Sequence, residues 1–173
     1  GNLGVAQGID FIISCLAENE RNKDTFILII GSGTEYSRLG SWFGDKQPMN
    51  SKLLPHLPKE KYEEVMAACD VGLIFLDYRF TIPNFPSRLL SYMQAGMPVL
   101  AATDPNTDIG QVMEEGGFGY WCESNDVDEF INLMKVYVLS ESRSKMSFNS
   151  YRYLLKYYDV ENAYREITKH IKK

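Results

Sequence analysis

The sequence predicts an α/β domain whose parallel sheet is covered by helices on both faces, and three observations carry that reading. Short apolar runs rich in β-formers recur along the chain, as in "TFILIIGSG", "VGLIFL" and "MPVLAATD". The segments between them place apolar residues at helical spacing. Glycine, proline or an acid closes each run, where a strand gives way to a loop. Parallel strands need crossover helices of this length and take the right-handed route, so the alternation defines a Rossmann-like, doubly wound parallel sheet.

The elements follow in order. Ile9, Ile12, Ile13 and Leu16 fall at i, i+3, i+4 and i+7, the stripe of an amphipathic helix from about Ala6 to Glu20. The continuous apolar run "FILII" fits a strand buried on both faces and is stopped by Gly31 and Gly33. A second helix spans about Thr34 to Phe43, and "SKLLPHLP" is a short strand broken by proline. "KEKYEEVMAACD" puts Tyr62, Val65, Met66 and Cys69 on one helix face ahead of the strand "VGLIFL". "PSRLLSYMQAGMPVLAATD" supplies the next helix and strand, "DIGQVMEEGG" a helix with a glycine stop, and "FGYW" a short strand. Helices over about Val127 to Leu139, Glu141 to Leu155 and Val160 to Ile171 close the chain. No internal repeat, low-complexity tract or interdomain linker is visible.

With 173 residues, 45% apolar and 24% charged, the chain suits one domain with a sizeable core. A formal charge of −5 excludes general attraction to nucleic acid or an anionic membrane, so a phosphate must be met by local basic groups and backbone amides. Cys15, Cys69 and Cys122 are odd in number, far apart and without a CxxC pair, which suits buried thiols in a reducing compartment. The apolar run Phe11 to Leu16 is too short to span a bilayer and lacks a basic leader, so the expected location is the cytoplasm. The opening "GNLG" is a glycine loop of the kind that normally follows a strand, and the expectation is a piece that begins partway through a larger protein.

In doubly wound sheets ligands lie beyond the carboxyl ends of the strands, so chemistry is sought in the loops that follow them. Candidate loops are "GNLGVAQG", "GSGTEY", "LDYRFTIPNFPSRLL" and "ATDPNTDIG". Gly31 and Gly33 permit close approach of a phosphate, although "GSGTEY" lacks the third glycine of a dinucleotide fingerprint and serves equally as a tight turn. "NFPSRLL" is sharper. Pro86 sets the approach, Ser87 is placed to cap a first-turn amide, and Leu89, Leu90 and Met93 turn a packing face inward. Free amides and Arg88 are then left to meet an anion such as a diphosphate.

His56 has no Cys, Asp or Glu at ligand spacing and is not a metal ligand candidate, though its loop suits a base. His170 sits in the basic tail "KHIKK" and is expected in solvent. Asp104 and Asp108 resemble a carboxylate pair, with Asp108 placed as a helix N-cap. Tyr151, Tyr153, Tyr157 and Tyr158 interleave with Arg152 and Lys156; in so acidic a domain they are read as packing against helix neighbours, and no nucleic-acid partner is expected.

The order "GNLGVAQGID", "ILIIGSGTEYSRL", "LPHLPKEKYEEVMAACDVGLIFL", "PSRLLSYMQAGMPVLAATD" and "DVDEFINLM" resembles the C-terminal, donor-binding half of family 4 glycosyltransferases, the retaining enzymes of GT-B fold. The resemblance covers nearly the whole chain. It implies that Asn2 and Gly4 face the diphosphate and sugar, and that Gly31 and Gly33 let the next loop approach the nucleotide. It implies further that Pro55, His56 and Leu57 frame the base, and that Ser87, Arg88 and Leu89 meet the pyrophosphate. The family usually carries two glutamates around this helix, one toward the donor sugar and one toward the ribose. Pro83 and Ser91 stand there instead. Either Asp104, Thr107 or Asp108 takes over sugar contacts, or part of donor binding is lost; a serine still offers the ribose a neutral hydrogen bond, roughly half as strong as a charge-assisted one.

What the resemblance implies is transfer of a sugar from a UDP- or GDP-linked donor, without a metal or other cofactor. The acceptor, a glycan or lipid-linked molecule, would be held by the protein's own N-terminal domain in surface polysaccharide synthesis. This stretch alone is expected not to turn over, and the full-length protein to work in the cytoplasm, at the inner face of the membrane. Two other functions fit the same fold: nucleotide-sugar epimerisation, and a non-catalytic binding or scaffold module.

Overall fold

The computed structural model describes all residues except positions 83, 140, 172 and 173, and leaves aside the side chains of 163, 170 and 171. The readings of Pro83 and of the His170 side chain therefore lie outside the described residues.

Among the described residues five parallel strands form in two groups. β1 (Ile27–Gly31) pairs with β2 (Ser51–Pro55), Ile29 opposite Leu53. β3 (Gly72–Phe75), β4 (Val99–Thr103) and β5 (Gly119–Glu123) form a sheet in that order, with Leu100 opposite both Leu73 and Tyr120. Residues 1–6 tie the two groups together at the strand tips. The Leu3 amide donates to the Ser32 carbonyl at 2.8 Å, the Ser32 amide to Gly1 at 3.1 Å, and the Asp77 amide, just past β3, to Ala6 at 2.9 Å.

Among the described residues eight α-helices cross between and beyond these strands: α1 (Ile9–Asn19), α2 (Tyr36–Lys46), α3 (Lys59–Ala67), α4 (Ser87–Gln94), α5 (Ile109–Gly116), α6 (Val127–Leu139), α7 (Arg143–Tyr157) and α8 (Val160–Ile171). The double cover is legible residue by residue along the strands. Leu73, Phe75, Leu100, Ala102, Tyr120 and Cys122 belong to one apolar cluster, which also takes in α1 and α6. Their alternate neighbours Ile74, Val99, Ala101 and Trp121 belong to a second cluster with α4, α5 and α7. Successive strand side chains point to opposite faces, so each strand of the β3–β5 sheet feeds both cores.

Several expectations are corrected in detail. The first predicted helix is divided: a 3-10 turn covers Val5–Gln7 and α1 begins at Ile9, because Gly8 takes a left-handed φ of 65°. A side chain at Gly8 would also stand 3.2 Å from the Asp77 Cα, so the break is built into the packing. Ser87 is the first residue of α4 and not its cap; Pro86 holds the cap position, and no side chain caps the helix. Proline suits that place because it has no amide hydrogen to satisfy. Asp108 does occupy the N-cap of α5, but its carboxylate makes no capping bond. The single sheet expected is seen as the two groups above. Cys15 and Cys122 are buried as predicted, whereas Cys69, at the end of α3, is half-buried. Tyr153 stacks on Phe118, centroids 5.4 Å apart, but Tyr151 is 46% exposed and does not pack as read.

Candidate functional site

The carboxyl ends of β1 and β2 open onto a cleft of about 460 Å³, within the range of small-molecule sites. Its floor is the end of β1, with Ile30, Gly31 and Ser32; one wall is the loop after β2, with His56 and Leu57. Lys59 and Tyr62 from the first turn of α3 form a second wall, and Arg88 from the first turn of α4 a third. Gly1 and Asn2 close the cleft from the side.

Local sequence explains how each group arrives there. Pro55 ends β2 and Pro58 precedes α3, so the chain between them is held extended and presents His56 at the surface. Leu89, fully buried beside the half-buried Arg88, anchors the first turn of α4 in the core while its neighbour points outward. Burying such a leucine stabilises the domain by roughly 1.5–3 kcal/mol. Tyr92 and Met93, a turn further on, continue that packing.

The electrostatics of the cleft are cationic. Lys59 lies 3.7 Å from Glu63, an exposed pair of little strength. Arg88 makes no ion pair among the described residues; its guanidinium carbon sits 4.9 Å from the centroid of the Tyr62 ring. No carboxylate is among the lining residues. A guanidinium held on an aromatic face, at the mouth of a cleft without acids, is arranged to receive an anion.

Of the residues singled out from sequence, the fold brings Asn2, Gly31, His56, Leu57 and Arg88 together around this cleft. The Gly4 amide, just behind it, donates to the Gln7 side chain at 2.9 Å, which shapes the opening loop. Gly31 and Gly33 owe their lack of side chains to the opening segment itself: a side chain at either would overlap the main chain of Gly1 or Leu3, and Gly33 has a positive φ of 154°. Pro55 ends β2 outside the lining, Ser87 is exposed beside Arg88, and Ser91 is half-buried one turn along α4. Asp104 is buried, its carboxylate accepting the Asn106 amide at 2.9 Å. Thr107 donates to the Asn84 carbonyl at 3.2 Å, which ties the loop after β4 to the one before α4, and Asp108 is exposed next to it. These three lie outside the cleft lining.

Sequence reasoning missed Lys59, Tyr62 and Ser32 as lining residues. Tyr62 was assigned only to a packing face; the signal available was Lys59 and Tyr62 at i and i+3 just after Pro58, on the first turn of a helix that follows a strand. It also missed Asp77. This buried carboxylate accepts two bonds from the Arg79 guanidinium, at 2.8 and 2.6 Å, and one from the Arg79 amide at 2.9 Å. These bonds to Arg79 hold the Asp77 carboxyl below the usual carboxylate range.

A cleft beyond the ends of parallel strands, walled by two helix starts and a guanidinium without an acid partner, defines a doubly wound α/β ligand-binding domain. The chain belongs to the family of glycosyl transferases group 1, whose profile matches residues 1–153. It is 29% identical over 126 residues to the probable glycosyltransferase WbjE of Pseudomonas aeruginosa, covering 73% of this chain and 31% of that protein. The chain thus spans about a third of the length of that curated relative.

Among solved structures, HepE of Anabaena, crystallised with UDP-glucose, aligns at a TM-score of 0.75 and 18% identity, covering 99% of this chain and 46% of HepE. WaaG, a glycosyltransferase involved in lipopolysaccharide biosynthesis, aligns at 0.63 and 18%, covering 86% of this chain and 39% of WaaG. At these identities the likeness shows the fold, which is the Rossmann-like half of a GT-B glycosyltransferase expected from the sequence.

Proposed function

We propose that this chain is the donor-binding half of an enzyme that transfers a sugar from a UDP- or GDP-linked donor. The observation that carries the reading is Arg88: a guanidinium without a carboxylate partner, in a cleft at the strand ends, across from the His56–Leu57 loop. The base lies against His56 and Leu57, with Pro55 behind them, and the diphosphate against Arg88 and Lys59. As the bond from the anomeric carbon to the diphosphate breaks, negative charge grows on the leaving oxygen. The two cations and the Ser87 and Arg88 amides at the start of α4 stabilise it there, the Leu89 amide being given to the Pro86 carbonyl at 2.9 Å. The diphosphate is thereby met without a metal ion. Asn2 and Gly4 face the sugar, Gly31 and Gly33 the nucleotide, and Ser91 the ribose; either Asp104, Thr107 or Asp108, on the loop after β4 and outside the cleft lining, takes over sugar contacts, or part of donor binding is lost. HepE, similar in fold, was solved with UDP-glucose, which supports a nucleotide sugar as the ligand.

In the full-length protein a second, N-terminal domain holds the acceptor, a glycan or lipid-linked molecule, in surface polysaccharide synthesis. WaaG's role in lipopolysaccharide biosynthesis supports that setting. Val160, Tyr164 and Ile167 form an exposed apolar stripe on α8, suited to cover by that domain. Among the described residues no helix is long and apolar enough to cross a membrane. Independently of that, the proposed setting for the full-length protein is the cytoplasm, at the inner membrane face. Titration of the chain with UDP and GDP should show saturable binding, and the full-length protein should form a new glycoside with release of nucleoside diphosphate. No heat at millimolar nucleotide overturns the reading. Ser91, neutral and outside the cleft lining, favours a second reading as a binding module; binding without turnover supports it, and release of a free epimer supports epimerisation.

A further inference from the structure

We propose that Tyr62 is a positioning residue for Arg88: its ring face carries the guanidinium and holds it over the cleft in the orientation that meets a diphosphate. The proposal rests on the donor-site reading above. Its basis is a set of residue placements that runs from the sheet to the cation. Tyr92, one turn beyond Arg88 on α4, donates its hydroxyl to the Leu73 carbonyl of β3 at 3.1 Å. Its ring lies against Gly72, where an added side-chain carbon would stand 2.5 Å from it, so Tyr92 is fixed in place by the absence of a side chain on β3. Burial first, and then the charge of the neighbouring Tyr62 phenol, raise the Tyr92 hydroxyl above its ordinary range, which places the two rings side by side. Tyr62 thus lies next to a residue the sheet holds in place, and its own ring face carries Arg88, the guanidinium carbon 4.9 Å from the ring centroid.

The physical need is plain. Arginine carries a long side chain with many rotamers, and one without a carboxylate partner must be ordered by its ligand at a cost in affinity. An aromatic platform orders it beforehand. It does so without neutralising the charge, as an acid would, because the ring offers only its quadrupole. Tyr62 comes from α3 and Arg88 from α4, so the contact also sets the distance between the base-framing loop and the anion seat.

The test uses UDP and GDP as probes, with uridine and guanosine as controls, titrated by calorimetry into wild type, Tyr62→Leu, Tyr62→Phe, Arg88→Ala and the double variant Tyr62→Leu/Arg88→Ala. Thermal midpoints confirm that each variant folds. Tyr62→Leu should weaken the diphosphate about threefold to fivefold and leave the nucleoside unchanged, while Tyr62→Phe, which keeps the ring, stays within about twofold of wild type. In the Arg88→Ala background Tyr62→Leu should cost nothing further, since the group it positions is gone. Equal losses for nucleoside and diphosphate, or the same loss with Arg88 absent, overturn the positioning role and make Tyr62 a wall of the cleft. If Arg88→Ala weakens the diphosphate while Tyr62→Leu does not, the positioning role alone fails. If Arg88→Ala has no effect, or wild type binds neither nucleotide, the donor-site reading falls and the role of Tyr62 with it. Should Tyr62→Leu fail to fold, Tyr62→Ile and the salt dependence of the Tyr62→Phe variant decide the same question.

Discussion

Replacement of Arg88 tests the anion seat directly. Its guanidinium has no acid partner among the described residues, so Arg88→Ala removes a ligand contact without stranding a buried charge. A hydrogen bond to a charged group contributes about 1.5–3 kcal/mol. At about 1.4 kcal/mol per decade this is a loss of roughly 10- to 150-fold in affinity for UDP or GDP. Arg88→Lys keeps the charge but loses the fork and the stack on Tyr62, and should fall between, about threefold to tenfold weaker than wild type. The cleft is open and Arg88 half-exposed, so the contact is screened by salt. As ionic strength rises from about 0.1 to 1 M the Debye length falls from about 10 to 3 Å. Wild type should therefore lose more affinity over that range than Arg88→Ala does. Isothermal titration at two salt concentrations, with the nucleoside as control, reads all of this. An Arg88→Ala variant within about twofold of wild type, for both nucleotides at low salt, refutes the reasoning.

Three further outcomes follow from the packing. Leu89→Ala removes a fully buried side chain from the first turn of α4 and should destabilise the domain by about 2–5 kcal/mol, seen by calorimetry as a fall in Tm of several degrees; a fall below about 2 °C would show that the site collapses freely. The Asp77 carboxyl is held low by Arg79, so its contribution is present above the ordinary carboxylate range, near pH 4, and is lost as pH falls through the lowered value. The Tm difference between wild type and Asp77→Asn should therefore shrink from pH 5 to pH 2, and a constant difference would contradict it. Burial raises the thiols of Cys15 and Cys122, the latter to about 12, while Cys69 is raised less and lies half-open. A disulfide reagent at pH 8 should label Cys69 first in the native chain, and labelling of all three at one rate would count against that order.

The alternation of strands and helices, the bounds of α6 and α8, and the two-faced burial of β3, β4 and β5 were written in local pattern, whereas β1 is only partly buried between its ends. Period-two and period-3.6 spacing needs only neighbouring residues, and the crossover rule supplies the rest. The cleft brings together Arg88, read from the helix start after Pro86, and the His56–Leu57 loop, read chiefly from the family resemblance. The cleft as an assembled object was not legible in sequence. Lys59 and Tyr62 join Arg88 only because two crossovers return α3 and α4 to the same end of the sheet, and nothing near Tyr62 in sequence distinguishes a ring that supports a cation from one that packs. Likewise the room beside Gly31 and Gly33 is filled by residues 1–3, a packing fact between segments far apart in the chain. Sequence alone determined what each segment becomes, because secondary structure is decided by contacts within a few residues. Tertiary structure alone decided which side chains meet, because that depends on how the sheet brings distant strand ends together.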